Sequence, residues 1–164
     1  MRARAGAYLA AQSVNSPMNI LLAEDLEDDV FLLKQAFSKA QVTSRLESVR
    51  DGMEAQAYLK GEGEFADRAA HPFPDVLLLD LNMPRMNGFE LLEWMRQDDQ
   101  CRRVVTHVLT ASAREADVDR AYELGANSYV LKPSRMGDLV AFVKGLHEWH
   151  KFIVLPQRAQ TVAR

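Results

Sequence analysis

Short apolar runs alternate along the chain with segments of helical periodicity. Val76–Leu79 holds four consecutive apolar residues and is followed at once by a carboxylate, Asp80. A run of this length and type predicts a strand that is buried on both faces. An earlier predicted strand, over residues 19–23, is followed in the same way by Glu24 and Asp25. The pattern therefore predicts two buried strands with acidic residues at their carboxyl ends.

Three further segments, at residues 45–49, 104–109 and 128–131, are also predicted to be strands. Thr110 directly follows the second of them, and Lys132 directly follows the third. Open α/β sheets bind their ligands at the carboxyl ends of the strands. The predicted edge thus collects three carboxylates, a hydroxyl and an ammonium, a set that fits a divalent metal and a phosphoryl group.

Five helices are predicted to alternate with the strands. They are expected at about residues 27–40, 52–59, 88–97, 115–124 and 135–150. Asp51 and Asn87 stand where N-caps are expected, and Gly125 stands where the fourth helix should end. The segment over residues 60–74 is rich in glycine, proline and charge and is expected to be a long loop. Alternating strands and helices favour an α/β fold with a parallel sheet covered on both faces and right-handed crossovers.

Composition limits the classes of protein to consider. The chain has 164 residues, of which 48% are hydrophobic, and a formal net charge of −3. This is ordinary globular composition with no basic surface for nucleic acid or membrane, and no apolar stretch is long enough to cross a bilayer. The single cysteine, Cys101, favours the cytoplasm. We expect one domain over residues 18–151, a poorly ordered extension over residues 1–17, and a C-terminal arm over residues 152–164.

The motifs at four strand ends resemble those of the receiver domain of two-component response regulators. The matching pieces are Leu22-Ala23-Glu24-Asp25, Leu78-Leu79-Asp80-Leu81-Asn82-Met83-Pro84 with Asn87-Gly88, Leu109-Thr110-Ala111, and Leu131-Lys132-Pro133. Each piece alone is a weak signal, but all four in order are specific, and the match covers roughly residues 18–150. The resemblance implies the CheY-like, flavodoxin-like fold: a five-stranded doubly wound parallel sheet in the order 2-1-3-4-5 with five helices.

The resemblance also implies a role for the residues at the strand ends. Asp80 would be the phosphoacceptor, and a phosphohistidine on a sensor histidine kinase would supply the phosphoryl group. Asp25 and Asp80 would bind Mg²⁺ directly and Glu24 through water, and the Asn82 backbone carbonyl would complete the protein's ligands. Lys132 would pair with a phosphoryl oxygen as a compact point charge.

Thr110 and Tyr129 match the switch positions of that family. The Thr110 hydroxyl would donate a hydrogen bond to the phosphoryl group, and the Tyr129 ring would turn inward as Thr110 moves. The surface that changes would be formed by helix four, strand five and helix five. The peptide bond between Lys132 and Pro133 is usually cis in the family, and we expect it to aim the ammonium at Asp80.

Other polar residues are interpreted more simply. The acidic run Glu27-Asp28-Asp29 fits a helix N-terminal cluster that the helix dipole favours, rather than further metal ligands. The four histidines lack the spacing of metal ligands and are interpreted as structural or surface residues.

The end of the chain predicts a contact with a second copy. Apolar residues at core spacing in the last helix are followed by a consecutive apolar run. The residues predicted for a dimer contact are Phe142, Leu146, Trp149, Phe152, Ile153, Val154 and Leu155. This run and the loop over residues 60–74 resemble stand-alone regulators of phytochrome-type histidine kinases. We expect a symmetric homodimer; alternatively, the tail folds back over its own last helix.

The predicted function is a single-domain response regulator, a phosphoprotein that signals by altered contacts with an unknown downstream protein. It would catalyse only its own phosphorylation and dephosphorylation. The alternative is a pseudo-receiver that binds partners without phosphorylation. A haloacid-dehalogenase-type phosphatase would need an aspartate at position 82, where this chain has Asn82. A DNA-binding regulator would need a helix-turn-helix unit after Lys132. In a flavin protein, the acidic residues 24–27 would repel the flavin phosphate.

Overall fold

A computed structural model describes residues 17–155 of the chain. Its strands are β1 (Met18–Ala23), β2 (Ser44–Val49), β3 (Val76–Leu79), β4 (Val105–Thr110) and β5 (Ser128–Leu131). They form a five-stranded parallel sheet in the order β2-β1-β3-β4-β5. The strand order reverses between β1 and β3, so these two strands flank the crevice in which such sheets bind their ligands. The predicted fold class and strand order are confirmed.

Within residues 17–155, five α-helices cover the sheet. They are α1 (Glu27–Ala40), α2 (Gly52–Lys60), α3 (Gly88–Gln97), α4 (Glu115–Glu123) and α5 (Met136–His150). The bounds agree with the predicted ones to within about one residue because local signals fix the ends. The Asp51 carboxylate accepts a 3.0 Å hydrogen bond from the Glu54 amide, and Asn87 and Glu90 form a reciprocal capping box.

The sheet separates two apolar layers. Leu77 and Leu79 of β3 face a layer with buried residues from α2, α3 and α4. Val76 and Leu78 face the opposite layer, which is built with α1 and α5. All four β3 side chains are completely buried, as the unbroken apolar run predicts. The strand is therefore a rigid support for the residue that follows it.

The predicted loop over residues 60–74 is more ordered than its composition indicates. It contains a short 3-10 turn, Gly63–Phe65. The Arg68 guanidinium donates 2.7 Å hydrogen bonds to the carbonyl oxygens of Tyr58 and Leu59 at the end of α2. The side chain thereby satisfies carbonyls that a helix end leaves without partners.

Some expectations lie at or beyond the limits of the described residues. The predicted extension over residues 1–17 lies outside them apart from residue 17, as do residues 156–164 of the predicted arm. Within the described part of the chain, no helix is both long and apolar enough to cross a membrane.

The expectation of a cis bond between Lys132 and Pro133 is wrong, because residues 17–155 contain no cis peptide bond. The backbone amide of Lys132 donates a 2.8 Å hydrogen bond to the Thr110 carbonyl oxygen. This bond extends the pairing of β4 with β5 by one residue, and the long side chain reaches the carboxyl edge of the sheet from that position.

Candidate functional site

Three carboxylates meet where β1 and β3 end. One oxygen from each of Glu24, Asp25 and Asp80 lies within 4.8 Å of the other two. They are brought together because Ala23 pairs with Leu79 in the sheet, so the residues that follow both strands lie side by side. Glu24 and Asp80 are only 3% and 4% exposed. The structure thus brings the three predicted acidic residues to one place.

The electrostatics of this cluster favour a cation. Burial raises the pKa of Glu24, and the nearby charge of Asp80 acts in the same direction, against the hydrogen bond from Lys132. Ionised carboxylates so close together and out of water repel one another unless positive charge is present. Hard oxygen ligands of this kind are those that Mg²⁺ and similar divalent ions prefer. The residues therefore fit a divalent cation.

The Asp80 carboxylate is held in a fixed direction. Its Oδ1 accepts a 2.8 Å hydrogen bond from the Leu81 amide, and its own amide donates a 3.0 Å bond to the Ala23 carbonyl oxygen. Its Oδ2 lies 3.4 Å from the Lys132 ammonium. Gly88 at the start of α3 packs so closely that a Cβ there would lie 2.4 Å from the Asp80 carbonyl oxygen. Backbone packing and hydrogen bonds thus fix the predicted phosphoacceptor.

The Lys132 ammonium contacts three carboxylates. Nζ lies 2.7 Å from Glu24 Oε2 and 2.7 Å from Asp29 Oδ2, and it is farther from Asp80. Burial alone would lower the pKa of Lys132, but the hydrogen bonds to Asp29 and Glu24 and the charge of Asp80 raise it above its ordinary value. The lysine is therefore a permanent positive charge beside the phosphoacceptor.

Asp29 is a site residue that the sequence analysis missed. Its position in the first turn of α1 was explained by the helix dipole alone, yet its carboxylate accepts a hydrogen bond from a residue 103 positions later. One sequence signal was available, since α1 begins directly at the carboxyl edge of β1. An acidic residue in its first turn therefore lies within reach of the site.

The two predicted switch residues are linked through Ser112. Thr110 is completely buried at the end of β4, and its Oγ1 accepts a 3.4 Å hydrogen bond from the Ser112 amide. The Tyr129 hydroxyl donates a 3.0 Å bond to the Ser112 carbonyl oxygen. Burial raises the pKa of Tyr129. Asn82, which was predicted to contribute its carbonyl, is exposed in the loop after Asp80.

An ion pair joins that loop to the end of β2. The Arg85 Nε donates a 2.6 Å hydrogen bond to Asp51 Oδ2, and Asp51 is nearly completely buried. Arg85 has a φ of +63°, a left-handed conformation that is uncommon for residues other than glycine. Asp51 was expected only as a helix cap, but its carboxylate also anchors the loop that carries Asn82.

The residues predicted for a dimer contact divide into two groups. Leu146 is 7% exposed and packs in the apolar layer between the sheet and α5, and Phe142 packs against the same layer. The Leu146 side chain is therefore buried in the core of its own chain and is not available to a second copy. The second group holds Trp149, Phe152 and Val154, which are exposed, and Ile153 and Leu155, which are half-buried.

Comparisons with known proteins agree with this geometry. Residues 20–144 match the response regulator receiver domain. The chain is 36% identical over 143 residues to response regulator Rcp1 of Synechocystis sp., a match that covers 87% of this chain and 95% of Rcp1.

Two crystal structures are similar to this fold. The phosphorylated cyanobacterial phytochrome response regulator RcpA is 37% identical with a TM-score of 0.78, over 87% of this chain and 100% of that one. The Mn²⁺-bound form of Rcp1 is 35% identical with a TM-score of 0.74, over 86% of this chain and 100% of that one. The chain therefore belongs to the response regulator receiver domain family.

Proposed function

We propose that the chain is a stand-alone response regulator that accepts a phosphoryl group on Asp80 from a sensor histidine kinase. One observation carries the proposal: Asp80 directly follows the buried strand β3, and one of its oxygens is fixed by the Leu81 amide while the other faces Lys132 at 3.4 Å. The similarity to RcpA, which is described as a phosphorylated phytochrome response regulator, supports a kinase of the phytochrome type.

Glu24, Asp25 and Asp80, together with the Asn82 backbone carbonyl, would hold a divalent cation. When bound, Mg²⁺ would offset the repulsion among the carboxylates and stabilise charge on the transferring oxygens. The Mn²⁺-bound form of the similar Rcp1 supports a divalent ion at this position, and Mg²⁺ is our proposal for its identity.

The proposed transfer exchanges one bond for another. An oxygen of the Asp80 carboxylate attacks phosphorus while the bond between phosphorus and the kinase imidazole nitrogen breaks. The electron pair of that bond stays on the imidazole, which takes up a proton. Lys132 then pairs with a phosphoryl oxygen and Thr110 donates a hydrogen bond to another. Later attack by water returns the Asp80 carboxylate and releases inorganic phosphate, so the proposed chemistry is limited to this self-modification.

The proposed output is a change of surface. Movement of Thr110 toward the phosphoryl group would alter the contacts of Ser112 and Tyr129, and with them the surface of α4, β5 and α5 that an unidentified downstream protein would bind. We assign the receiver domain to residues 18–151 and an arm to residues 152–164. Exposed Trp149, Phe152 and Val154 support a homodimer formed through this end of the chain.

A cytoplasmic location is part of the proposal. The single cysteine, Cys101, is buried and has no partner in the sequence for an internal disulfide. Burial raises the pKa of its thiol to about 12. The thiol therefore stays protonated at neutral pH and poorly reactive toward oxidants.

The proposed function is tested by intact-mass spectrometry after incubation with Mg²⁺ and phosphoramidate or acetyl phosphate. The wild type should gain one phosphoryl group, and the gain should be absent with EDTA or in Asp80→Asn. Asp28→Asn is the matched control, since it also neutralises an aspartate but at an exposed position, and it should be phosphorylated. If the wild type gains no mass and also fails to bind beryllofluoride, the pseudo-receiver alternative takes the place of this proposal.

A further inference from the structure

The Lys132 ammonium lies closer to Glu24 and Asp29 than to the phosphoacceptor, Asp80. Its two 2.7 Å contacts are with Glu24 and Asp29, and Asp80 Oδ2 lies farther away at 3.4 Å. A phosphoryl group on Asp80 would therefore compete with these two closer carboxylates for the Lys132 ammonium.

Asp29 differs from Glu24 in its relation to the acidic cluster. The group of carboxylates that could hold a cation consists of Glu24, Asp25 and Asp80, and Asp29 is not a member of it. A cation in that group would compete with Lys132 for Glu24 and would repel the ammonium. Of the three carboxylates that contact Lys132, Asp29 is the one that would remain available to it.

We infer that Asp29 is a positioning residue that holds the Lys132 ammonium away from Asp80 until a phosphoryl group draws it across. The inference rests on the proposed function and adds to it a carboxylate that competes with the phosphoryl group for Lys132. Asp29 lies in the first turn of α1, so this pair also ties the start of α1 to the end of β5.

The ion pair between Lys132 and Asp29 is weak enough for a phosphoryl group to displace it. The Asp29 side chain is 33% exposed and that of Lys132 is 18% exposed, so water screens the attraction. Ion pairs of this partly exposed kind typically change an equilibrium by about two- to fivefold. A phosphoryl group carries up to about two negative charges and several acceptor oxygens, and the flexible lysine stem allows the ammonium to follow it.

The consequence is measurable as an affinity. Because the phosphoryl group must displace Asp29 from Lys132, removal of the Asp29 charge should make the phosphorylated state easier to reach. Beryllofluoride mimics the phosphoryl group on aspartate and is the probe for this test. We expect Asp29→Asn to bind beryllofluoride about two- to fivefold more tightly than the wild type at saturating Mg²⁺.

Asp28→Asn is the matched control for this measurement. It removes the same charge from the same helical turn, but Asp28 is exposed and is not one of the three carboxylates that Lys132 contacts. Any general effect of lowering the negative charge near the site appears in both variants. The difference between the two variants reports the contact with Lys132 alone.

A calorimetric titration with beryllofluoride distinguishes the possible results for the Asp29 and Asp28 variants. Tighter binding by Asp29→Asn than by Asp28→Asn supports the inference, and Asp29→Ser should show the same gain if the asparagine variant folds poorly. Equal or weaker binding by the Asp29 variants overturns it, since Asp29 would then be a passive neighbour or a support for the active position of Lys132. If the wild type binds no beryllofluoride and takes up no phosphoryl group, both the inference and the proposed function fail.

Discussion

The Tyr129 hydroxyl donates a 3.0 Å hydrogen bond to the backbone carbonyl oxygen of Ser112. The amide of the same serine donates a 3.4 Å bond to the Thr110 hydroxyl oxygen. One residue of the loop between β4 and α4 thus contacts both predicted switch residues. A displacement of Thr110 toward Asp80 would therefore reach Tyr129 through the backbone of Ser112.

Tyr129→Phe should loosen this loop before any phosphorylation. The substitution removes one hydrogen bond, worth about 0.5–1.5 kcal/mol, and leaves the ring in place. Amide hydrogen exchange of residues 111–114 should become about three- to tenfold faster, since opening of the loop would no longer break this bond. The measurement is hydrogen exchange with mass spectrometry, without a phosphoryl donor.

Tyr58→Phe is the matched control for Tyr129→Phe. The Tyr58 hydroxyl also donates a 3.0 Å bond to a backbone carbonyl oxygen, that of Pro72. This variant should accelerate exchange near residue 72 and leave residues 111–114 as in the wild type. Unchanged exchange of residues 111–114 in Tyr129→Phe would show that the tyrosine does not restrain the loop.

Gly88→Ala should damage both stability and phosphorylation. The added methyl group would lie 2.4 Å from the Asp80 carbonyl oxygen and 2.8 Å from Leu81 Cα. Because both contacts are with backbone, relief requires a shift of the loop that carries the phosphoacceptor. We expect the free energy of unfolding in urea to fall by about 1–3 kcal/mol and the rate of phosphorylation to fall with it.

Gly145→Ala is the matched control and should change the free energy of unfolding in the opposite direction. Gly145 lies inside α5 with no atom near its added Cβ. The alanine variant should be more stable by about 0.5–1 kcal/mol, since alanine loses less conformational freedom in a helix. Equal stabilities of the two variants would mean that the backbone around Asp80 is looser than the structure indicates.

His107 should make the protein less stable in acid. Its Nδ1 lies 2.6 Å from the Ser128 hydroxyl oxygen and its ring meets the Trp149 ring edge-on. Burial lowers the pKa of His107, whereas an unfolded chain titrates near the ordinary value of about 6.5. As pH falls below that value, the unfolded state binds the proton first, so the free energy of unfolding decreases.

Urea unfolding between pH 8 and pH 5 measures this dependence. The wild type should lose stability as the pH falls, and His107→Gln should lose less, because one group whose pKa differs between the folded and unfolded states is gone. Burial also lowers the pKa of His150, so the double variant should show the flattest profile. A slope in His107→Gln equal to that of the wild type would contradict the assignment.

Local signals predicted the elements well, for reasons that the structure makes visible. The bounds of α3 were predicted residue for residue because Asn87 and Glu90 cap it reciprocally. The unbroken apolar run of β3 indicated burial on both faces. Parallel pairing of β1 with β3 then brought Glu24 and Asp80 together, as expected for the carboxyl edge of such a sheet.

The failures share a different cause, since each depends on contacts between distant parts of the chain. The helix dipole was a sufficient explanation for an acidic residue at position 29. Only the folded chain shows that the Lys132 ammonium donates a hydrogen bond to Asp29. Helical periodicity marked Leu146 as apolar, but periodicity does not distinguish the core of one chain from a contact between two.

The exposed apolar side chains at the end of the chain should hold two copies together. Phe152 is 84% exposed and Val154 is 52% exposed, and burial of such a side chain is worth about 1.5–3 kcal/mol. In a symmetric contact each substitution counts twice. The double variant Phe152→Ser with Val154→Ser should therefore raise the dimer dissociation constant by at least about a hundredfold, as measured by sedimentation equilibrium.

Phe31→Ser is the control for this experiment, because Phe31 is also an exposed aromatic residue (59%) but lies on α1. It should sediment as the wild type does, whereas a chain that ends at Lys151 should behave like the double variant. A wild type that is monomeric at all concentrations would contradict the dimer. A dimer that survives both the double substitution and the truncation would place the contact elsewhere. The apolar arm would then have to be explained by contacts with its own chain or with another protein.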